Sequence, residues 1–315
     1  MRVEHPSSQP PFPGVVRIEP ASACNLACSH CPTGTVSMER GIMKRETFVR
    51  VMERLRPIKD RLRVVVLYHG GEPFMNKRFV EMLKEIKRLG VPFIKTISNG
   101  MLLSDGLIEG VLDHGLDEIE FSLDGLSAEE SERIRRKSES AQVIARVCRL
   151  LDARRARRGH SLRVCISHNR FLEPGGLQGR VSPSTHVASW LRQAFSRYEG
   201  EVIFKSNWAM VWPHMEVDPA LYEIYTDPHG PPDRTRCEQL DETLTIGAGG
   251  DVLACCYDLT AQLVMGRIQE QSLEEIWEGG RYRALRQGIA DGSYPSICQY
   301  CSTVRRHRYL VMATR

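Results

Sequence analysis

The chain has 315 residues, 42% hydrophobic and 26% charged, with a formal net charge of +4; this length accommodates one large α/β domain with a small appendage, and the composition is that of a water-soluble globular protein. The charge is too mild to argue for nucleic acid as a partner, no apolar run approaches the length of a membrane span, and the polar, Pro-rich start MRVEHPSSQPPFPG lacks the apolar stretch of a secretory signal. A cytoplasmic location is expected, where ten cysteines read as metal or catalytic groups rather than as disulfides.

From residue 14 to about 206 short β-rich runs alternate with amphipathic stretches. Strands are expected at 15–20 (VVRIEP), 62–69, 91–98, 116–123, 162–167 and 201–205, and helices at 46–55, 78–89, 104–114, 141–155 and 186–198. Strands separated by helices imply parallel βαβ units with right-handed crossovers. Six of them give a partial or full barrel whose chemistry belongs at the C-terminal ends of its strands. A Gly/Pro-rich loop fills 173–183, and 227–233 (DPHGPPD) reads as a linker. Beyond it come a hairpin turning at Gly249 and Gly250, and one helix from 272 to 277 or further. The basic run 305–308 reads as a solvated tail, and Cys148 and Cys165 as core residues.

The first expected strand is followed by CNLACSHC, which sets Cys24, Cys28 and Cys31 in a C-x3-C-x2-C arrangement. Three thiolates on one irregular loop can reach a single small centre. A [4Fe–4S] cube normally takes four cysteines, so three leave one iron open to an outside ligand; zinc is the competing reading, although structural zinc takes four ligands. The next strand ends in HGGEP, 69–73, where Gly70 and Gly71 permit close backbone approach and the Glu72 carboxylate complements an ammonium group. TISNG closes the third strand and FSLDG the fourth, so Ser98, Asn99, Ser122 and Asp124 are candidates for cofactor or substrate contacts, with turn capping as the alternative for each. Lys205 and Asn207, after the sixth strand, are weaker candidates.

The cysteine spacing with GGE one βα unit later resembles the radical S-adenosylmethionine superfamily over the first two-thirds of the chain. The resemblance implies that S-adenosylmethionine chelates the open iron through its amine and carboxylate and is cleaved to a 5′-deoxyadenosyl radical. It places Gly70, Gly71 and Glu72 at the methionine amine, and an external electron donor such as flavodoxin or ferredoxin as a partner. His30 stands where that family often has an aromatic residue, to pack on the cluster or adenine; a solvated loop histidine is the alternative.

Cys237, Cys255, Cys256, Cys298 and Cys301 form a second group, which by spacing alone would also suit a zinc ribbon. GDVLACCYD, MGRIQEQSLEEIW and CQYC together resemble the SPASM/Twitch extension of the same superfamily. That implies a second [4Fe–4S] cluster on Cys237, Cys255, Cys298 and Cys301, and domains at 1–226 (partial barrel) and 227–315 (Twitch-like). If the CC pair lies on a strand, its side chains face opposite ways, so one of the two, Cys256 by assignment and Cys255 as the alternative, is a free thiol: a buried hydrophobe or a hydrogen-atom donor.

With the first strand starting near residue 15 there is no room before it for a peptide-recognition domain, which favours a small molecule. The Twitch spacing most resembles aminoglycoside-biosynthesis enzymes, an epimerase and a dehydrogenase, so the expected substrate is a polyol or amino sugar. A polycationic one would want carboxylates, for which Asp124, Glu120 and Asp258 are available. The extra cysteine favours epimerisation with Cys256 as donor; oxidation of a carbinol to a ketone is the alternative, and an electron carrier or metal-binding module without chemistry of its own is the reading from another class.

Overall fold

The computed structural model describes residues 10–157, 159–173, 181–182, 184–230 and 232–313; most of the loop expected at 173–183 and the start of the N-terminal segment lie outside them. Six parallel strands, β1 (Val15–Ile18), β2 (Val64–Leu67), β3 (Phe93–Ser98), β4 (Glu118–Ser122), β5 (Arg163–Arg170) and β6 (Val202–Trp208), pair in chain order. Helices α2 (Arg45–Leu55), α3 (Phe79–Arg88), α4 (Asp105–Asp113), α6 (Ser140–Ala156) and α7 (Ser189–Ala194) cross between them, and α1 (Pro32–Thr35) and α5 (Ala128–Ile134) are short additions after β1 and β4. The expected mostly parallel α/β sheet is therefore present. Two elements differ from expectation. The helix expected over 186–198 is only α7 followed by a 3₁₀ turn, Ser196–Tyr198, with Val187 and Ala188 buried ahead of it. The second is α5, whose Ser127 accepts the Glu130 amide as a helix cap.

Each crossing helix buries one stripe. In α3 it is Phe79, Met82, Leu83 and Ile86, the i, i+3, i+4, i+7 spacing of an amphipathic helix. Those stripes meet Val16, Ile18, Val65, Leu67, Ile94, Ile119, Phe121, Val164 and Ile166 on one face of the strands. Alternate positions face the other way and carry charge. Lys95, Glu118 and Arg163 stand in one cross-strand register, and Glu118, 4% exposed, meets Lys205 at 2.9 Å and Arg163 at 3.1 Å. Burial works against the Glu118 charge, but Lys205, Lys95 and Arg163 hold its carboxyl below the ordinary value.

Beyond residue 227 the chain returns to the same sheet. After α8 (Glu238–Glu242), β8 (Thr243–Ile246) pairs parallel with β1, so that β1 is bonded on both edges. The expected hairpin follows: β8 and β9 (Asp251–Leu253) are antiparallel, closed by Gly250 N–H to Gly247 O at 2.9 Å. Gly250 has φ +92°, open to glycine at little cost. β10 (Val264–Arg267) forms the sheet edge. Two helices follow rather than one, α9 (Leu273–Trp277) and α10 (Gly280–Ala290), broken at the Gly279–Gly280 pair.

The basic run at 305–308 is not a solvated tail. It leads into β11 (Arg308–Met312), which pairs antiparallel with β7 (Tyr222–Thr226) and buries Leu310 and Val311. The apolar YLVM that follows the charges needs cover, and this two-stranded sheet provides it. Among the described residues no helix is long and apolar enough to cross a membrane.

One buried carboxylate joins the halves. Glu19, just past β1 and 5% exposed, accepts the Gly70 amide at 2.9 Å and the Ala248 amide at 3.0 Å. Glu19→Ala removes both acceptors and is expected to cost about 3 kcal/mol, since a bond to a charged acceptor contributes roughly 1.5–3 kcal/mol. Urea denaturation followed by circular dichroism measures it, and a loss below about 1 kcal/mol would show that the two amides find other partners.

Candidate active site

Cys24, Cys28 and Cys31 sit on the loop after β1, with Cys31 capping α1. Two features hold this loop. The Ala27 amide donates to Arg136 O (3.1 Å) and the Ser29 amide to Ile134 O (3.0 Å), tying it to the end of α5. The Ser29 hydroxyl meets the Tyr222 hydroxyl at 2.7 Å, tying it to β7. All three cysteines line one cleft at the C-terminal ends of the parallel strands, and Gly70, Gly71, Glu72, Ser98, Asn99 and Ser122 line it with them.

Gly71 is there for a steric reason: a Cβ at this position would lie 2.2 Å from Ala23 O. The Glu72 amide donates to that same carbonyl at 2.9 Å, which presses the GGE turn onto the cysteine loop. The Glu72 carboxylate, 1% exposed, accepts from Ser98 Oγ (2.8 Å), the Asn99 amide (2.8 Å) and the Phe74 amide (3.1 Å). Burial raises its pKa to about 7 in spite of these donors.

Asp124 stands behind the cleft wall. It is fully buried, with Arg135 Nη1 at 2.7 Å, His30 Nε2 at 3.2 Å and the Asn169 amide at 2.9 Å. Burial opposes its charge, and Arg135 and His30 hold its carboxyl well below the usual carboxylate range. His30 is thus no solvated loop residue: it is 7% exposed and edge-on to Phe171 at 5.7 Å. Sequence reasoning passed over Arg135, whose guanidinium lines the cleft and favours the thiolate of Cys28. The signal was Ser127-x-x-Glu130, which starts the helix that Arg135 ends.

The second group of cysteines also converges. Cys237, Cys255, Cys298 and Cys301 line a single cavity with Tyr257 and Thr303. Cys256 is outside that lining, and its thiol donates to Gln239 Oε1 at 3.0 Å. The two cysteines separate for a different reason than strand alternation. β9 ends at Leu253, so the pair lies in a turn, where the Asp258 amide donates to Cys255 O at 3.2 Å. Lys205 and Asn207 lie on β6, and Lys205 is bonded to Glu120 at 2.7 Å; Cys165 is fully buried and Cys148 half-buried.

Whether these residues suit iron–sulfur clusters can be tested on the unpaired atoms and the thiols. The buried Arg135 Nε and His30 Nδ1 lack partners, as expected beside a polar group bound in the cleft. Burial pushes the pKa of Cys28 and Cys298 up to about 12 and that of Cys237 to about 11, with Cys24 and Cys255 also raised. Thiols so buried become thiolates only when a cationic centre compensates them. Among the described residues no three His, Cys, Asp or Glu side chains meet closely enough to hold one metal ion.

Residues 18–166 match the Radical SAM superfamily, and residues 237–302 match SPASM, an iron–sulfur cluster-binding domain. A tungsten-containing aldehyde ferredoxin oxidoreductase cofactor-modifying protein of Pyrococcus furiosus is 32% identical over 112 residues, 35% of this chain and 30% of that protein. The chain thus matches about a third of the length of the first curated relatives. Among solved structures, BtrN in complex with AdoMet and 2-DOIA superposes with a TM-score of 0.57 at 15% identity, covering 93% of this chain and 94% of that one. Native anSMEcpe with bound AdoMet gives 0.62 at 13%, covering 91% and 88%. At such identities the likeness is one of fold.

The raised pKa of Glu72 has a measurable consequence. Between its ordinary 4.5 and about 7 the folded chain holds a proton that the unfolded chain has released, so stability falls as pH rises through that window. The expected loss in the cofactor-free protein is at most about 3 kcal/mol. Thermal melts from pH 4.5 to 8 test it: Glu72→Gln should flatten the slope, and an unchanged slope would assign the effect to another group.

Proposed function

From a chain that carries a Radical SAM domain joined to a C-terminal SPASM domain, we propose an enzyme that abstracts a hydrogen atom from a carbinol carbon of a small polyol or amino sugar and oxidises it to a ketone. The Radical SAM domain implies S-adenosylmethionine and a [4Fe–4S] cluster, and the SPASM domain implies further iron–sulfur clusters. When bound, they supply a carbon radical able to take hydrogen from an unactivated C–H bond.

The observation that carries the reading is the single cleft in which three cysteines face the GGE turn. In this reading Cys24, Cys28 and Cys31 hold the first cluster. Glu72 orders the turn whose backbone meets the methionine amine, Arg135 Nε donates to an anionic group such as the cofactor carboxylate, and Ser122 and Asn169 on the cleft wall face the substrate. Cys237, Cys255, Cys298 and Cys301 hold the second centre.

Oxidation requires the substrate radical to lose a proton to solvent or a base and an electron, for which the second iron–sulfur centre would be the acceptor. Two points favour it over quenching by a thiol. Cys256 is absent from the cleft lining and its S–H is engaged by Gln239, and the fold corresponds end to end with BtrN, a butirosin dehydrogenase. Epimerisation with Cys256 as donor is the second reading. Burial raises the pKa of the Cys256 thiol and the Arg17 guanidinium of β1 opposes that rise, so this thiol interacts with a barrel residue, which favours the second reading.

The three carboxylates considered for a cationic substrate are all engaged: Asp124 by Arg135, Glu120 by Lys205, and Asp258 by the amides of Gln262 and Leu263. That supports recognition through hydroxyl groups more than through charge. The Radical SAM domain supports an enzyme over a passive electron carrier.

The test is anaerobic reconstitution, reduction with dithionite, and incubation with S-adenosylmethionine and a panel of aminocyclitols and aminoglycosides in heavy water. A product lighter by two hydrogens, formed also by Cys256→Ala, is expected. A product that gains one solvent deuterium at carbon, with Cys256→Ala unable to complete turnover, would replace oxidation by epimerisation. Cys28→Ala is expected to abolish cofactor cleavage and lower bound iron while the second site keeps its absorbance.

A further inference from the structure

We propose that the loop carrying Cys298 and Cys301 is the docking face for a small acidic one-electron carrier protein, so that the second cysteine cavity is the point at which that partner approaches. The inference rests on the Radical SAM reading, whose resemblance implies an external electron donor such as flavodoxin or ferredoxin.

Tyr300 stands between those two cysteines in CQYC and is 59% exposed, the most exposed large hydrophobic side chain among the described residues. Nothing apolar covers it; instead the Arg308 guanidinium lies 4.7 Å above its ring. Arg305 lies over Tyr294 at 4.8 Å, and Arg306 is exposed beside them. Of these three arginines only Arg305 has a carboxylate, Asp233, at 3.2 Å, and the same carboxylate accepts the main-chain amide of Arg306 at 3.2 Å. Arg306 otherwise spends a guanidinium donor on Pro228 O (2.8 Å), and among the described residues neither Arg306 nor Arg308 has a carboxylate partner for its side chain.

An exposed tyrosine with one arginine stacked on its ring and a second arginine without a carboxylate partner two residues away in sequence has the composition of a protein interface, where Tyr and Arg are enriched and supply the anchoring contacts. The positive rim selects a negatively charged partner and speeds its encounter. Electron-transfer complexes are small and transient, so one aromatic centre with a charged rim suffices. The position selects the function of the partner. Cys298 is half-buried and Cys301 lines the cavity from the inner side of the same loop, so a protein seated on Tyr300 lies one loop away from the sulfurs.

The experiment titrates reconstituted enzyme with flavodoxin, reading affinity by biolayer interferometry. Binding is expected to weaken as ionic strength rises from about 0.05 to about 0.3 M. The double variant Arg306→Glu/Arg308→Glu is expected to weaken it by about tenfold or more, and Tyr300→Ala by several-fold. The milder Arg306→Ala, at an exposed position, guards against misfolding by the strand residue Arg308, and Arg197→Glu, on the barrel with its side chain 70% exposed, should bind as the native chain does. Unchanged affinity in the charge-reversed variant, or heparin binding as tightly as flavodoxin, would overturn the proposal. Cleavage of S-adenosylmethionine driven by dithionite is measured in parallel. If it proceeds while the variants bind flavodoxin normally, the docking face alone is wrong; if the native chain never cleaves the cofactor, the radical reading is.

Discussion

The Glu19 carboxylate, just past β1, accepts amides from the GGE turn and from the hairpin after β8 and so ties both to the barrel strand. A charged acceptor buried at 5% exposure is stable there because two backbone amides satisfy it. With β1 also paired to β2 on one edge and β8 on the other, the two cysteine cavities are built on a shared frame.

Around the cleft the organising problem is charge. Thiols, a carboxylate and a guanidinium are taken out of water together, and each is tolerable only in the company of the others. Arg135 balances Asp124 directly and favours the thiolate of Cys28 at longer range, while His30 completes the Asp124 shell. Glu72 lacks such a cation in contact, and its raised pKa follows from that difference. The buried acid in the cleft and the buried acid behind its wall are thus tuned in opposite directions by their neighbours.

Much of this was legible in the residues. Period-2 and period-3.6 patterns located the six parallel strands and the five helical segments that cross between them, because apolar stripes on both elements are what the packing requires. Both cysteine groups were visible because their ligand spacing is local in sequence. Side chains whose role depends on a distant partner were not. Nothing near Glu19 in the sequence announces Gly70 and Ala248, and Asp124 looked like a cleft residue until Arg135 was seen to stand in front of it. Arg135 was hidden because its helix is only seven residues long, too short for a periodic signal. The basic run before β11 was misread because charge suggests solvent, while the strand's partner, β7, lies more than eighty residues earlier.

That pairing also orders events in time. Tyr222 on β7 holds the Ser29 hydroxyl of the first cysteine loop, and β7 itself gains its second strand only from residues 308–312. During vectorial synthesis the loop that follows β1 is made early, yet the sheet behind it closes only after the whole second cysteine region has been translated. The loop that carries Cys24, Cys28 and Cys31 therefore gains its full set of supporting contacts only once residues 308–312 have been made.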